Sequence, residues 1–263
     1  MKKHPYLPDI TGTHLKYQEH GAGPTIIMVP GLDGTALLFY RQLPLLAKHF
    51  HVLTFPLPND ASCSMDSLVE DLREVIEKVT RARGREHVLL CGESFGGALS
   101  LSFALAYPDL LRGLVILNSF PKIRKPIQMN LAPFLLKVMP WGAMKLVRRF
   151  TEFRLHSPHA LPEDLKEFHD RMQSVGKDGY IRRLQILQTY DVSDRLSEIK
   201  TPTLFLAGEL DHLVPSVKEA NFMAGRMPNA TVIPLKGYGH ICLINHDFNL
   251  MDHLTPWLDS QDK

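Results

Sequence analysis

Short apolar segments alternate with helical patterns along this 263-residue chain, and no other feature limits its fold as strongly. Several of these segments are rich in β-branched residues, which is typical of strands buried on both faces of a sheet. We predict strands at 25–29, 51–55, 87–91, 114–117, 203–207 and 230–235, an antiparallel edge strand at 15–20, and helices at about 36–48, 65–82, 97–107, 216–225 and 247–258. This alternation predicts a mostly parallel, doubly wound α/β sheet with helices on both faces.

The alternation is interrupted once, between residues 121 and 200. This interval is too long for a simple crossover, and it carries helical patterns of its own at 131–149, 162–173 and 179–190. A long insertion at the carboxyl edge of a sheet usually forms a lid or a binding element. We therefore predict a sheet domain made of residues 1–120 and 201–263, with residues 121–200 forming a helical cap above it.

Composition excludes several classes of protein. A formal net charge of +2 is too small to indicate a nucleic acid or another strongly charged partner. Three cysteines offer no disulfide framework, and the basic residues after Met1 are not followed by the apolar stretch of a signal peptide. We expect a cytoplasmic protein without stable membrane anchoring, and the sequence leaves its oligomeric state open.

A G-x-S-x-G pentapeptide at 92–96 stands where a predicted strand turns into a predicted helix. A serine in so sharp a turn carries its hydroxyl at the carboxyl end of the sheet, and glycines on both sides avoid a collision across the turn. Ser94 is therefore the candidate nucleophile. The alternative, an ordinary serine in a glycine-rich turn, does not account for the strand and helix on either side.

A serine nucleophile needs a base to accept its proton and an acid to orient that base. Asp211 follows the predicted strand 203–207, and His240 follows 230–235, so both are expected at the edge of the sheet that carries Ser94. We predict that Asp211 orients His240 and that His240 deprotonates Ser94. Glu209 is the alternative acid, and capping of the following helix is the alternative role for Asp211.

Negative charge that develops on a substrate oxygen needs two preset N–H donors, which form an oxyanion hole. The first predicted donor is the N–H of Phe95, directly after the candidate nucleophile. We assign the second to Leu32, which lies in the loop Pro-Gly-Leu-Asp-Gly-Thr at 30–35, hereafter the oxyanion loop. Its two glycines allow the backbone to approach a ligand closely.

Together these motifs resemble those of serine hydrolases of the α/β-hydrolase superfamily that carry a helical cap. The resemblance covers residues 15–258, and its matching positions are Gly31, Leu32, 92–97, 208–211 and 239–240. It implies an α/β-hydrolase fold and acyl-group chemistry on Ser94 without a metal or an organic cofactor. Pro30 stands where many relatives have a histidine that helps to brace the oxyanion loop.

The leading functional expectation is hydrolysis of carboxylic esters with small to medium apolar acyl groups, through an acyl-enzyme on Ser94. The expected partner is a small-molecule ester. Met139, Trp141 and Met144 lie in an apolar stretch that we expect to line the substrate pocket, rather than to form a membrane-touching face.

Two alternatives stay open. Acyl transfer to an alcohol, or thioester cleavage, uses the same three residues, and the oxyanion loop resembles proteins that move acyl groups between lipids and alcohols. A ligand-binding or signalling module with little turnover is the alternative outside enzymes. We expect no metal site, because the closely spaced histidines at 49 and 51 and at 156 and 159 have no cysteine or carboxylate cluster beside them.

Overall fold

A seven-stranded sheet forms the centre of the computed structural model, which describes residues 16–84, 87–124, 136–137, 140, 155–158 and 160–261. The strands are β1 (Gln18–His20), β2 (Thr25–Val29), β3 (His51–Thr54), β4 (Val88–Glu93), β5 (Leu111–Leu117), β6 (Thr203–Gly208) and β7 (Ala230–Leu235). Their order across the sheet is β1-β3-β2-β4-β5-β6-β7. Strand β1 is antiparallel to β3 and all other neighbours are parallel, so the predicted edge strand and parallel sheet are confirmed.

Helices cover both faces of this sheet. They are α1 (Leu43–Leu46), α2 (Met65–Arg81), α3 (Phe95–Ala106), α4 (Pro162–Met172), α5 (Lys177–Thr189), α6 (Ser216–Ala224) and α7 (Met251–Gln261). Ile27 and Val29 of β2 belong to a core cluster shared with α2, α3 and α6, whereas Ile26 and Met28 pack in a second cluster with α1 and α7. Alternate residues of one strand thus enter opposite cores, which confirms the doubly wound α/β class.

No helix in the described part of the chain is long and apolar enough to cross a membrane.

The direction of winding reverses between β2 and β4. From β2 the chain moves to β3 on one side, and it then returns to place β4 on the other side of β2. In open α/β sheets, ligands bind beyond the carboxyl ends of the strands at such a reversal. The oxyanion loop follows β2 and Ser94 follows β4, so both predicted site segments emerge at this point.

Two predicted helices have wrong boundaries. The pattern at 36–48 forms a 3₁₀ turn at Leu37–Phe39 and a separate short helix, α1, because Pro44 lacks an N–H and fits only the first turn of a helix. The last helix begins at Met251 rather than near 247. There the side chain of Asn249 accepts the N–H of Met251 at 3.1 Å and satisfies the new helix end.

Helices α4 and α5 lie between β5 and β6 and match the predicted patterns at 162–173 and 179–190 within two residues. The predicted helix at 131–149 lies mostly outside the described residues. Met139, Trp141 and Met144 also lie outside them, so their role in a substrate pocket stays a prediction. The division into a sheet domain and a cap at 121–200 likewise stays a prediction.

Candidate active site

Ser94 has the strained backbone that the pentapeptide predicts. Its φ of 55° and ψ of −115° place a non-glycine residue at positive φ. A methyl group at Gly92 would lie 2.3 Å from the carbonyl oxygen of Gly96, and one at Gly96 would lie 2.2 Å from that of Val29. The turn is closed by the Ser94 N–H, which donates to Leu117 at 2.9 Å. Only glycine fits the two flanking positions, so the turn directly sets the place of Ser94.

The three side chains predicted to act together are in direct contact. Nε2 of His240 lies 3.0 Å from Oγ of Ser94, and Nδ1 lies 2.7 Å from Oδ2 of Asp211. His240 and Asp211 are buried, whereas Ser94 is partly exposed. Glu209, the alternative acid, is exposed to solvent. Asp211 is therefore the carboxylate that contacts the histidine.

Charge separation between Asp211 and His240 is favoured in this buried setting. Burial lowers the pKa of His240, but the charge and hydrogen bond of Asp211 outweigh it, and the pKa lies above its usual value. Burial raises the pKa of Asp211, but the charge of His240 and several hydrogen bonds hold it below the usual value. The pair is thus suited to form an imidazolium next to a carboxylate.

Asp211 also organises its own loop. Its Oδ1 accepts the N–H groups of Leu213 and Val214, each at 2.9 Å, and its Oδ2 accepts the hydroxyl of Ser216. Ser216 is the first residue of α6, so the carboxylate supports the start of this helix without being its N-cap residue. The carboxylate thus contacts both His240 and the start of α6, and its role as the acid that orients His240 stays a prediction.

Asn118 is a site residue that the sequence reasoning missed. It directly follows β5, has a φ of 46°, and is buried. Its Nδ2 donates to the carbonyls of Gly239 at 3.2 Å and His240 at 2.7 Å, while its Oδ1 accepts the N–H of Gly208 at 2.7 Å. The side-chain amide of Asn118 thus connects the end of β6 with the loop at 236–241 that carries His240, hereafter the histidine loop. The position of Asn118 at the carboxyl end of a predicted strand was the available signal.

A short piece of the 121–200 interval supports the same loop. The hydroxyl oxygen of Ser157 accepts the N–H of Gly239 at 3.1 Å and the side-chain amide of Asn245 at 2.7 Å. The carbonyl of Leu155 accepts the N–H of Ile241 at 2.8 Å. The backbone on both sides of His240 is therefore held by this piece.

The oxyanion loop lies against the tight turn at 92–96 that carries Ser94, hereafter the serine turn. A methyl group at Gly31 would lie 3.7 Å from Cβ of Ser94 and 3.4 Å from the carbonyl oxygen of Glu93. Among the described residues, neither the N–H of Leu32 nor that of Phe95 donates a hydrogen bond. Phe95 is the first residue of α3, where a helix leaves its N–H groups unpaired. Both predicted donors are thus unpaired within the described part of the chain; Phe95 directly follows Ser94, and Leu32 directly follows Gly31, which lies against Ser94.

Comparison with known proteins identifies the family. Residues 24–247 match the sequence model of the alpha/beta hydrolase fold family. The chain belongs to this family. The match includes all the segments that carry Ser94, Asp211, His240 and the oxyanion loop, so the candidate site of this α/β hydrolase lies at the usual place for the fold.

Individual relatives are distant. The chain is 27% identical over 261 residues to a Pseudomonas syringae protein provisionally named carbamate hydrolase RutD. The aligned region covers 92% of this chain and 96% of that protein. It is 24% identical over 254 residues to the chloroplastic phytyl ester synthase 1 of Arabidopsis thaliana, covering 87% of this chain and 36% of that protein. A thermophilic esterase structure from Thermogutta terrifontis has a TM-score of 0.82 at 20% identity, covering 94% of this chain and 93% of the other. The last comparison shows the shared fold.

One further carboxyl group is buried next to the site of this α/β hydrolase. Glu93 precedes Ser94, is 5% exposed, and has an Oε1 without a hydrogen-bond partner among the described residues. Burial raises the pKa of Glu93 to about 8, with the charge of His240 opposing this shift and those of Asp33 and Asp211 adding to it. The group is therefore protonated at neutral pH.

The cysteines of the α/β hydrolase are all buried and unpaired. Burial raises the pKa values of Cys91 and Cys242, so their thiols stay neutral at ordinary pH. Cys242 accepts a weak hydrogen bond from Asn118 at 3.7 Å and packs in the core. In the described ranges, no three His, Cys, Asp or Glu residues are grouped so that they could hold a metal ion.

Proposed function

We propose that this α/β hydrolase is a serine hydrolase that cleaves carboxylic esters of small to medium apolar acyl groups. The observation that carries the proposal is the position of His240, which contacts Ser94 through one ring nitrogen and Asp211 through the other. A hydroxyl, an imidazole and a buried carboxylate in this order form the apparatus for nucleophilic acyl transfer. The proposed substrate is a small molecule.

The proposed reaction has two halves. Ser94 attacks the ester carbonyl while His240 takes the hydroxyl proton and passes it to the departing alcohol. The N–H groups of Leu32 and Phe95 hold the oxyanion that forms, and collapse of the tetrahedral intermediate leaves an acyl-enzyme. Water then attacks the acyl carbonyl, His240 accepts its proton, and the acid is released as Ser94 regains its hydrogen. The raised pKa of His240 supports this role as a proton acceptor.

The preference for substrates with apolar acyl groups is the most specific part of the proposal. It rests on the apolar composition of residues 131–144, in which Met139, Trp141 and Met144 are the proposed pocket residues. Contacts from the wider 121–200 interval reach both sides of the site, since Ser157 accepts the N–H of Gly239 and Arg183 donates to the carbonyl of Leu32. We therefore expect residues 121–200 to determine which substrates the site accepts.

Carbamate hydrolysis is a second candidate, favoured by the relative provisionally named carbamate hydrolase RutD. A carbamate presents the same carbonyl to Ser94, and an oxyanion hole serves both reactions. Acyl transfer to an alcohol is supported by the oxyanion loop and by the likeness to phytyl ester synthase 1. It differs only in the acceptor that replaces water in the second half of the reaction.

A single panel separates these functions. Purified protein and a Ser94→Ala variant are compared on p-nitrophenyl esters of two to twelve carbons, on matched N-alkyl carbamates, and on esters with a competing alcohol. We expect ester hydrolysis that is fastest for short or medium chains, and a loss of several orders of magnitude in Ser94→Ala. Preference for carbamates, or ester products in place of acids, would favour one of the other reactions. Equal turnover by both proteins would refute the serine mechanism.

A further inference from the structure

Arg183 is a buried cation that reaches the oxyanion loop from the 121–200 interval. It lies in the middle of α5 and is 1% exposed. Its Nε donates to the carbonyl of Leu32 at 2.9 Å, and its Nη2 donates to the carbonyl of Asp33 at 3.0 Å. Its Nη1 donates to the carbonyl of Pro58 at 3.0 Å. Two of the three acceptors belong to the loop that is proposed to supply an oxyanion donor.

Burial of the Arg183 guanidinium is unfavourable unless its hydrogen bonds are strong. Removing a guanidinium from water is strongly unfavourable when neutral groups are its only hydrogen-bond acceptors. Burial lowers the pKa of Arg183, but the nearby charge of Asp33 opposes this, and arginine keeps its proton at any physiological pH. Hydrogen bonds from a fixed, charged fork are stronger and more directional than those from a neutral donor. The carbonyls of the loop are therefore held firmly in one orientation.

The peptide groups on the two sides of Leu32 are each held by a hydrogen bond, one from Gly34 and one from Arg183. The carbonyl of Gly31 accepts the N–H of Gly34 at 3.1 Å, which fixes the peptide group that contains the Leu32 N–H. Arg183 fixes the next peptide group through the carbonyl of Leu32. In a planar trans peptide the N–H and C=O point in opposite directions, so the bond from Gly34 to the carbonyl of Gly31 sets the direction of the Leu32 N–H. The two peptide groups meet at Cα of Leu32, so Arg183, 151 residues away, anchors the chain directly beside this N–H.

Gly34 makes room for the guanidinium. Its φ is +67°, and a methyl group there would lie 2.5 Å from Cζ of Arg183. Glycine at this position thus allows both the turn and the close approach of the cation. The loop and the arginine fit each other at three successive residues, from Leu32 to Gly34.

We propose that Arg183 is a positioning residue that aims the Leu32 N–H at the oxyanion and so links α5 to catalysis. The inference rests on the proposed serine mechanism. Arg183 bonds to carbonyl oxygens and acts on the reaction only through the backbone of the loop. A shift of α5 would then change turnover without moving Ser94, Asp211 or His240.

The test compares Arg183→Lys and Arg183→Met with Arg182→Met. Arg182 is the matched control, because it lies on the same helix and its Nε donates to a carbonyl outside the oxyanion loop, that of Cys63 at 2.5 Å. Arg183→Met removes every donor, whereas Arg183→Lys keeps the charge but lacks the fork that spans three carbonyls. For each variant kcat, KM, the pH profile and the rate of phosphonylation of Ser94 by a fluorophosphonate are measured well below the melting temperature.

We expect kcat and the phosphonylation rate to fall about 30- to 300-fold in Arg183→Met and about tenfold in Arg183→Lys. KM should change less than about threefold, and the midpoint of the acid limb should stay in place because the Asp211–His240 pair is intact. Arg182→Met should keep the wild-type rates. A folded Arg183→Met with wild-type kcat would overturn the inference. If that variant does not fold, wild-type rates in Arg183→Lys would overturn it.

The same experiment separates this inference from the proposed function. A wild-type protein that is phosphonylated but cleaves no ester or carbamate would refute the proposed function, and the phosphonylation rates of the variants would still decide the role of Arg183. Ester hydrolysis that is unchanged in both Arg183 variants would refute only the inference. A wild-type protein that is inert towards both the probe and the substrates would refute both.

Discussion

The side-chain amide of Asn118 donates to the carbonyl of His240 at 2.7 Å. Because Oδ1 of the same amide accepts the N–H of Gly208, Asn118 connects the strand that leads to Asp211 with the loop that carries the histidine. The relative position of the two side chains thus depends on a buried residue that contacts neither of their functional groups.

Asn118→Asp replaces the donor by a carboxylate oxygen and sets it against the carbonyls of Gly239 and His240. We expect a loss of about 2 kcal/mol in the free energy of unfolding and a fall in kcat of about tenfold or more, with KM little changed. Asn229→Asp is the control, since its amide donates to the carbonyl of Lys200 on the exposed surface. Wild-type kcat in Asn118→Asp would show that the amide does not position the histidine.

Asp211→Asn tests the electrostatic support of His240. The carboxylate raises the pKa of His240 above 6.5 against the effect of burial, so activity should rise with pH through a midpoint above 6.5. Without the charge, burial lowers the pKa of His240, and the midpoint should move to lower pH. The value of kcat should also fall by about 10²- to 10⁴-fold, because the ring loses its orienting acceptor. A pH–rate profile of both proteins checks this, and an acid limb that stays in place would contradict it.

Glu93→Gln tests the buried carboxyl group beside the site. An unfolded glutamate loses its proton near pH 4.5, whereas folded Glu93 keeps it to about pH 8. Folding therefore takes up a proton between these values, and wild-type stability should decrease as pH rises through this window. The variant lacks this penalty. Its free energy of unfolding, relative to that of the wild type, should therefore increase from pH 5 to pH 8 by on the order of a few kcal/mol. Denaturant unfolding at several pH values measures it, and a constant difference would exclude the raised pKa.

Gly96→Ala tests the tight contact between the serine turn and β2. The added methyl would lie 2.2 Å from the carbonyl oxygen of Val29 and 2.7 Å from that of Pro30, and both contacts are with backbone. We expect the free energy of unfolding to fall by about 3 kcal/mol or more. Gly225→Ala is the control, because its closest contact would be 3.3 Å and its φ is −66°. Equal stability of the two variants would contradict the packing described for the turn.

The sequence predicted those parts of the molecule that depend on local pattern. Ser94, Asp211 and His240 each directly or closely follow a strand of the parallel part of the sheet, and parallel strands end at one edge of a sheet, so their order along the chain sufficed to bring them together. The helix at 36–48 was wrong because a periodic apolar pattern does not show that Pro44 starts a new helix. Gln42 lies within the same pattern, and its side-chain amide donates hydrogen bonds to the carbonyls of Leu243 and Phe248, which the pattern does not indicate.

The contacts that support the site could not be predicted from local pattern, although Asn118 stands at the carboxyl end of a predicted strand. Arg183 looks like one more charged residue on a helix, and only folding brings it to the carbonyls of Leu32 and Asp33, about 150 residues earlier in the chain. Asn118 contacts residues about 120 positions later. Hydrogen bonds over such separations follow from tertiary packing, which composition and periodicity do not encode.

Identification of the nucleophile by covalent labelling tests the central claim most directly. The wild-type protein is incubated with a fluorophosphonate, and its intact mass and peptide map are measured beside those of Ser94→Ala and His240→Ala. We expect one phosphonyl group on Ser94 of the wild-type protein, none on Ser94→Ala, and much slower labelling of His240→Ala, which keeps the hydroxyl but lacks the base. A wild-type protein that stays unlabelled, or that carries the label on another residue, would contradict the assignment of Ser94 as the nucleophile.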